Sequence, residues 1–223
     1  MIKKIWDKFP PTQNQNTPYR ISPSGRGFDK KMKINILIRA HKRINDLRRC
    51  VESIRTQTYK DINIIASYED ESDLGMLIDL GITDIHYVRY KRVNYFYNLY
   101  CNDLKSKVNE GWFFFLDSDD TLIDKYCVEN LIPHLTNPNE AIICQFKRLV
   151  KLKPTNEQID KREIVCGNIG MPCIVLHHSQ KNISNFNDSS NSDYTFIKDV
   201  SQLIPTKFIK HILVHSLIRS HGK

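Results

Sequence analysis

Apolar and polar positions alternate along the chain in blocks that predict strands and helices in turn. Short apolar runs bounded by polar residues predict strands at 34–38, 61–67, 85–88, 112–116, 141–151 and 173–176. Apolar residues at helical spacing predict helices at 45–56, 73–80, 94–108, 125–135 and 194–203. Because strands that alternate with helices are typical of βαβ units, we expect one α/β domain with a mostly parallel central sheet flanked by helices.

The first 31 residues differ in composition from the rest of the chain. They are polar and contain several prolines and glycines, which are typical of a linker: Pro10, Pro11, Pro18, Pro23, Gly25 and Gly27. We therefore expect an N-terminal arm at 1–31 and a single domain at 32–223. Within the domain, the polar segment 154–161 and the Asn-, Ser- and Asp-rich segment 184–193 predict loops.

Length and composition fit a cytoplasmic globular protein. The 223 residues are enough for one sizeable core, and no signal-peptide pattern follows Met1. No apolar run approaches the roughly 18 residues that a membrane span needs. The six cysteines are scattered without C-x-x-C spacing, so we expect buried, reduced thiols rather than disulfides or a zinc site.

The net charge of +8 is compatible with nucleic acid, an anionic membrane or a phosphate-bearing substrate. The basic residues are spread along the chain, which also fits an ordinary solvated surface. The aromatic residues of segment 87–97 have strand or helix spacing, so we expect them in the core rather than stacked on bases. Nucleic acid is therefore the least favoured partner, and peripheral contact with an anionic membrane is left open.

Candidate chemistry lies where the predicted strands end, because ligands of parallel α/β sheets bind beyond the carboxyl ends of the strands. Three segments qualify: 39–43, 67–71 and 117–120. The last contains Asp117, Asp119 and Asp120, whose carboxylates repel one another next to a buried strand. Mn²⁺ or Mg²⁺ would offset this repulsion and bridge to the diphosphate of a nucleotide. A turn with solvated carboxylates that caps the next helix is the alternative.

Three motifs together resemble family 2 glycosyltransferases of the D-x-D type. The run from Trp112 to Asp120 resembles the D-x-D strand of that family. Residues 36–59, an apolar strand followed by a helix that ends near Gln57-Thr58-Tyr59, resemble its opening. Residues 62–65 match its next strand in placement.

This resemblance covers residues 33–125 well and the remainder weakly. It implies a GT-A-like (Rossmann-like) domain with a nucleotide-binding half at about 32–125 and an acceptor half at about 126–223. The implied activity is a metal-dependent, inverting transfer of a sugar from a nucleotide-sugar donor, with UDP-sugar favoured. The implied acceptor is a saccharide or a glycolipid, as in polysaccharide biosynthesis.

The resemblance also implies roles for the acidic cluster. Asp117 would contact the ribose or the metal, with Ser118 beside it in the donor site. Asp119 would be the main ligand of Mn²⁺ or Mg²⁺, and Asp120 would assist or hold the loop. His215 matches loosely the C-terminal histidine that completes the metal site in related enzymes, although a solvated or capping role is the alternative.

The donor-binding segments depart from the family pattern. Arg39-Ala40-His41 replaces the usual Pro-Thr-Tyr, and Arg39 and Arg43 either contact phosphate or are surface arginines. Ser67-Tyr68-Glu69-Asp70 replaces the usual Val-Asp-Asp-Gly. Glu69 or Asp70 would accept from an N–H of the base and Tyr68 would stack on its ring, which leaves the identity of the nucleotide open.

The catalytic base implied by the family is an acidic residue at the start of a helix after the sheet. Asp193 matches that place, with Ser192 where the family has glutamate. Such a carboxylate would take the proton of the acceptor hydroxyl. A helix N-cap is the alternative role for Asp193, and Asp188 is the second candidate for the base.

The sequence also fits two other functions. Asp117 to Leu122 also fits the D-x-D-x-T motif of haloacid-dehalogenase-like phosphatases, with Asp117 as nucleophile and Asp119 as acid and base. That motif normally ends the first strand of its domain, whereas about a hundred residues precede it here. The other possibility is a GT-A-like binding module that has lost donor binding, which the altered strand ends would suit.

Overall fold

Nine strands form one sheet in the computed structural model, which describes residues 32–40, 43–90 and 94–216. The strands are β1 Ile34–Arg39, β2 Ile62–Tyr68, β3 Asp84–Tyr87, β4 Trp112–Asp117, β5 Thr121–Leu122, β6 Ala141–Arg148, β7 Lys151–Lys153, β8 Ile174–His177 and β9 Thr206–Ser216. The α-helices of the described residues are α1 Ile44–Arg55, α2 Glu71–Asp79, α3 Phe96–Lys107, α4 Cys127–Leu131, α5 Asn156–Lys161 and α6 Ser192–Leu203. The arm predicted at 1–31 lies outside the described residues.

The strand order across the sheet is β3-β2-β1-β4-β8-β6-β9-β5, with β7 paired to β6. The first four strands in the chain are parallel, as the alternating pattern predicts. β8 runs antiparallel to both β4 and β6, so β6 is parallel to β4. The α/β architecture with a central sheet is thus confirmed, with parallel strands in the first half and mixed directions in the second.

The register of the parallel strands places polar residues at one edge of the sheet. Arg39, the last residue of β1, pairs with Ser67 of β2 on one side and with Asp117 of β4 on the other. Since all three residues lie at the carboxyl ends of parallel strands, they open onto the crevice in which this class of sheet binds ligands.

β4 forms the centre of the core. Its residues 112–116 are all buried, and Phe113, Phe114 and Phe115 are at most 1% exposed. Gly111, just before β4, has φ +74°, and a Cβ there would lie 2.1 Å from the carbonyl oxygen of Lys33. Only glycine therefore lets the chain enter the sheet this close to β1.

The cysteines are free thiols, as expected, but they are not all buried. Cys166 is exposed, whereas the other five lie in the core. No helix among the described residues has the length and apolar character that crossing a bilayer requires.

Two stretches differ from the expectation. Residues 141–151, predicted as one strand, form the β6–β7 hairpin, which turns at Leu149 and Val150. The predicted loop at 154–161 contains α5, which begins with a capping box between Thr155 and Gln158. The Thr155 side chain accepts from the Gln158 N–H, and the Gln158 side chain accepts from the Thr155 N–H. These two bonds explain why so polar a segment forms a helix.

The C-terminal part also differs from the sequence pattern. Residues 206–216, for which the pattern predicts no strand, form β9, the long strand that connects β6 to β5. His211 and His215, whose spacing suits a helix, therefore lie on a strand. The sequence of β9 does not alternate regularly between apolar and polar residues, because its pairing with β6 shifts register near Gln145.

Candidate active site

A cavity of about 360 Å³ opens at the carboxyl edge of β1, β2 and β4. It is lined by Arg39, Ala40, Arg43, Glu69, Phe96, Tyr97, Tyr100, Asp117, Ser118 and Asp119. Seven of these residues are predicted donor-site or metal-site residues. His41, also predicted, lies outside the described residues.

Arg39 connects the two walls of this cavity. Its Nη2 donates to Asp117 Oδ1 at 3.0 Å, and its Nη1 donates to the carbonyl oxygen of Tyr97 at 2.7 Å. The guanidinium carbon also lies 5.2 Å from the centre of the Tyr97 ring. Arg39 is thus held by strand β4 and helix α3 at once, with its charge facing the cavity.

The second carboxylate of the D-x-D motif has a similar environment. Asp119 Oδ2 lies 3.7 Å from Arg43 Nη1. Burial, and then the charge of Asp117, raise the pKa of Asp119. Two mutually repelling carboxylates therefore face the cavity together with two guanidiniums, an arrangement suited to a ligand that carries both phosphates and a cation.

Asp117 and Asp119 suit a divalent cation only when a substrate supplies further oxygen ligands. Among the residues that the structure describes, no group of three or more His, Cys, Asp and Glu side chains could hold a metal ion. Mg²⁺ is, however, commonly bound through one or two carboxylates together with substrate phosphates. Asp117 and Asp119 therefore fit a cation that binds with a diphosphate, and not a site formed by the protein alone.

The structure does not group His215 with those two carboxylates. It lies in β9 opposite Thr121 of β5, and burial, followed by the charge of Lys147, lowers its pKa. Asp120 is 4% exposed and does not line the cavity; its charge helps to raise the pKa of the Cys50 thiol, after the effect of burial.

The residues predicted to recognise the nucleotide base do not all lie at the cavity. Glu69 lines the cavity, and its Oε2 accepts a hydrogen bond from the hydroxyl of Tyr100 at 2.7 Å. Tyr68 packs edge-on against Tyr87 at the end of the neighbouring strand, with ring centres 5.5 Å apart. Asp70 precedes the first turn of α2. Of the three, only Glu69 lies on the cavity wall.

Helix α3 supplies the part of the cavity that the sequence reasoning missed. Phe96, Tyr97 and Tyr100 line it, although the spacing of these aromatic residues predicts a core position. Tyr100 is indeed buried, but Tyr97 is 39% exposed. Tyr100 lies four residues after Phe96 and three after Tyr97, so it neighbours both on the helix surface. This spacing is the signal that could have assigned the three residues to the site.

Asp193 joins the site from the opposite half of the fold. It lies in the first turn of α6, where its Oδ2 accepts from the backbone N–H of Met171 at 3.2 Å. Burial, and then the charge of Asp117, raise its pKa to about 6, against the opposing effects of the Met171 amide and Arg39. Asn191, rather than Asp193, is the N-cap residue of α6.

Asp188, the second candidate for the base, has a different partner. Its Oδ1 accepts from the backbone N–H of Tyr95 at 2.6 Å, at the start of α3. Asp188 thus caps the start of α3, whereas Asp193 lies in the first turn of α6.

The family model described as glycosyl transferase family 2 matches residues 35–195. A search of curated proteins returned no match.

Two solved structures share the fold at low sequence identity. Residues 1–349 of S. aureus TarS superpose with a TM-score of 0.64 at 10% identity, covering 83% of this chain and 60% of that one. The same protein has been solved with UDP-GlcNAc and with UDP. The mannosyltransferase PcManGT from Pyrobaculum calidifontis, in complex with GDP-Man and Mn²⁺, gives a TM-score of 0.64 at 9% identity, covering 86% of this chain and 59% of that one. This chain thus spans about three fifths of their length.

Proposed function

Because this chain belongs to glycosyl transferase family 2, we propose that it transfers a sugar from a nucleotide-sugar donor to a saccharide or lipid-linked acceptor. The observation that supports the proposal is that Arg39, Asp117 and Asp119 line one crevice at the carboxyl edge of the sheet. The charges of Asp117 and Arg39 also act on Asp193. The family membership argues against the phosphatase alternative, which needs its D-x-D-x-T motif at the end of the first strand of the domain.

The cavity offers a partner for each part of such a donor. Arg39 and Arg43 would bind the diphosphate, for which guanidinium groups are well matched. Glu69, held by the Tyr100 hydroxyl, would accept from an N–H of the base, and Tyr97 offers a partly exposed ring for stacking. UDP is favoured and GDP is the alternative, since the fold relatives were solved with UDP-GlcNAc and GDP-Man.

Asp117 and Asp119 would hold Mn²⁺ or Mg²⁺ when the diphosphate is present. The cation would neutralise the charge that develops on the leaving nucleoside diphosphate. Arg39, which pairs with Asp117 in this structure, would then exchange that carboxylate for a phosphate oxygen. Its hydrogen bond to the Tyr97 carbonyl oxygen would keep the side chain in place during the exchange.

Asp193 would act as the general base. It would take the proton of the acceptor hydroxyl while that oxygen bonds to the anomeric carbon and the bond from this carbon to the diphosphate breaks. A single displacement of this kind inverts the anomeric configuration. A pKa of about 6 leaves the carboxylate ionised at neutral pH yet more basic than an ordinary aspartate, which suits proton abstraction.

Isothermal titration of UDP, GDP and CDP, with and without Mn²⁺, tests the donor site. We expect the wild type to bind one nucleotide in a Mn²⁺-dependent manner and Asp119→Ala to lose that dependence. Asp160→Ala is the matched control, because Asp160 lies on α5, pairs with Lys210 of β9 and is not among the residues that line the cavity. If the folded wild type binds none of the three nucleotides, the alternative of a module that has lost donor binding is favoured.

A further inference from the structure

The β6–β7 hairpin carries two exposed apolar side chains at its tip. Leu149 is 50% exposed and Val150 is 85% exposed. Leu149 also has φ +54°, in the left-handed region. Tight turns normally place Gly, Asn or Asp at such positions, so a Leu-Val pair here is costly for folding alone.

Basic residues surround this apolar tip. Lys147 and Arg148 precede it and Lys151 follows it, while no Asp or Glu occurs between residues 141 and 156. Among the described residues, none of these three cations forms an ion pair with a carboxylate. The hairpin therefore presents uncompensated positive charge on both sides of an exposed apolar pair.

The hairpin rises from the same edge of the sheet as the active-site cavity. β6 and β4 are parallel because each runs antiparallel to β8, so Arg148 and Asp117 end their strands at the same edge. The root of the hairpin also approaches the proposed base. A Cβ built on Gly170 would lie 3.7 Å from Phe146 Cζ and 3.8 Å from Asp193 Oδ2.

We propose that this hairpin docks onto an anionic lipid bilayer. Leu149 and Val150 enter the headgroup region, where apolar side chains leave water, and Lys147, Arg148 and Lys151 bind the anionic headgroups. Nucleic acid would use the cations but would leave the apolar pair without a role. Docking in this way turns the active-site edge towards the membrane, where a lipid-linked acceptor would be found.

Vesicle co-sedimentation tests the proposal without any sugar transfer. We expect the full chain to bind vesicles of phosphatidylcholine mixed with phosphatidylglycerol at least tenfold more tightly than vesicles of phosphatidylcholine alone. Leu149→Ser combined with Val150→Ser removes the apolar part, and we expect roughly tenfold weaker binding. Lys147→Gln, Arg148→Gln and Lys151→Gln together should weaken it by about a hundredfold, since each basic residue contributes about fivefold.

The control is Ile78→Ser, which removes another exposed apolar side chain, 58% exposed on α2, and should leave vesicle binding unchanged. The proposal is overturned if the wild type does not bind the anionic vesicles, or if the hairpin variants bind like the wild type. It is also overturned if the Leu149→Ser, Val150→Ser variant melts at a lower temperature, because the pair would then be packed against the chain. Single-stranded RNA bound through the hairpin in place of vesicles would favour nucleic acid instead.

The outcome is separable from that of the proposed function. Titration with nucleotide and Mn²⁺ should be the same for the wild type and the hairpin variants, because the hairpin does not line the cavity. A hairpin variant that loses vesicle binding and keeps nucleotide binding therefore supports the role of the hairpin and leaves the proposed function unaffected.

Discussion

Asp193 and Asp117 come from opposite halves of the chain, and the negative charge of Asp117 raises the pKa of Asp193. Arg39 moderates this repulsion, because it pairs with Asp117 and its charge also acts on Asp193. Desolvation is nevertheless the largest influence on Asp193, and it raises the pKa to about 6. A perturbed carboxylate in a cleft, with a specific charge partner, has the properties of a functional residue.

The first prediction at this scale concerns activity. Asp193→Asn should lower kcat by about 10²- to 10⁴-fold, the usual contribution of a general base, while nucleotide binding changes little. In the wild type, kcat should rise with pH through about 6 as Asp193 loses its proton. Initial rates against pH, measured on both proteins, check this. Asp188→Asn is the matched control, and a comparable loss of kcat in that variant alone would transfer the role to Asp188.

The second prediction concerns the effect of Asp193 on the free energy of unfolding. The folded pKa of Asp193 lies above the ordinary aspartate value of 3.8, so between these values the folded state binds more protons than the unfolded one. This residue therefore favours folding at low pH, and its contribution is lost as pH rises from about 4 to about 6. Asp193→Asn should then be more stable than the wild type at pH 7, by on the order of 1–3 kcal/mol, and equal to it below pH 4. Urea unfolding at both pH values measures this, and a destabilised variant at pH 7 would contradict it.

At the scale of elements, helix α3 connects the cavity to the segment that leads to Asp193, the proposed general base. One face carries the aromatic residues of the cavity, and another carries Asn98, Asn102 and Lys105, at helical spacing. Asn98 donates to the Ser189 carbonyl oxygen, and Lys105 Nζ donates to that of Lys181. The segment between residues 181 and 189, which leads into α6 and Asp193, is thus held along its length by α3.

Asn102 is the residue of this face whose substitution best tests the role of α3. Its side chain donates to the Phe186 carbonyl oxygen and accepts from the Phe186 N–H, both at 2.9 Å. Phe186 in turn stacks on Phe196 of α6, with ring centres 4.1 Å apart. A shift of the segment would therefore reach α6 and Asp193.

We expect Asn102→Ala to lower kcat at least tenfold while the Kd of the nucleotide stays within twofold. The reason is that the substitution moves Asp193, the proposed general base, and leaves the cavity unchanged. It should also cost about 1–3 kcal/mol of stability, since the Phe186 amide loses its partner. Ser106→Ala is the control, because the Ser106 side chain on the same helix donates only to the nearby Asp103 carbonyl oxygen. Equal losses of nucleotide affinity and kcat would instead indicate that α3 itself is disturbed.

How well each element could be predicted follows from the signals it carries. β1 to β4 are short apolar runs whose neighbours are set by the βαβ pattern, so Arg39 and Asp117 could be placed at one edge from sequence alone. α5 was predictable in principle from the T-x-x-Q spacing of Thr155 and Gln158, but its polarity outweighed that cap. β9 has an irregular pattern because it shifts register against β6. The position of Asp193 beside Asp117 depends on that second half, so only the resemblance pointed to it.

At the scale of the whole molecule, the two halves predicted to bind nucleotide and acceptor share one sheet. β4 pairs with β1 of the first half on one side and with β8 of the second half on the other. Phe115 of β4 also packs edge-on against Phe186, which belongs to the second half. The candidate active site depends on this arrangement, since Asp117 ends β4 and Asp193 lies in the first turn of α6.

It follows that the first half should not fold alone. A fragment of residues 32–125 would lack β8, whose Leu176 and Val175 lie opposite Phe113 and Phe114 of β4. Both phenylalanine side chains are fully buried in the intact chain and would lose these neighbours. Each such side chain costs about 1.5–3 kcal/mol when exposed, and a few of them equal the 5–15 kcal/mol that stabilises a typical domain. We expect residues 32–223 to unfold cooperatively in urea and the fragment to show no cooperative transition. A fragment that unfolds cooperatively and binds nucleotide would mean that the donor half is a unit of its own, and that Asp193 reaches the crevice by docking of two folded bodies instead of through a shared sheet.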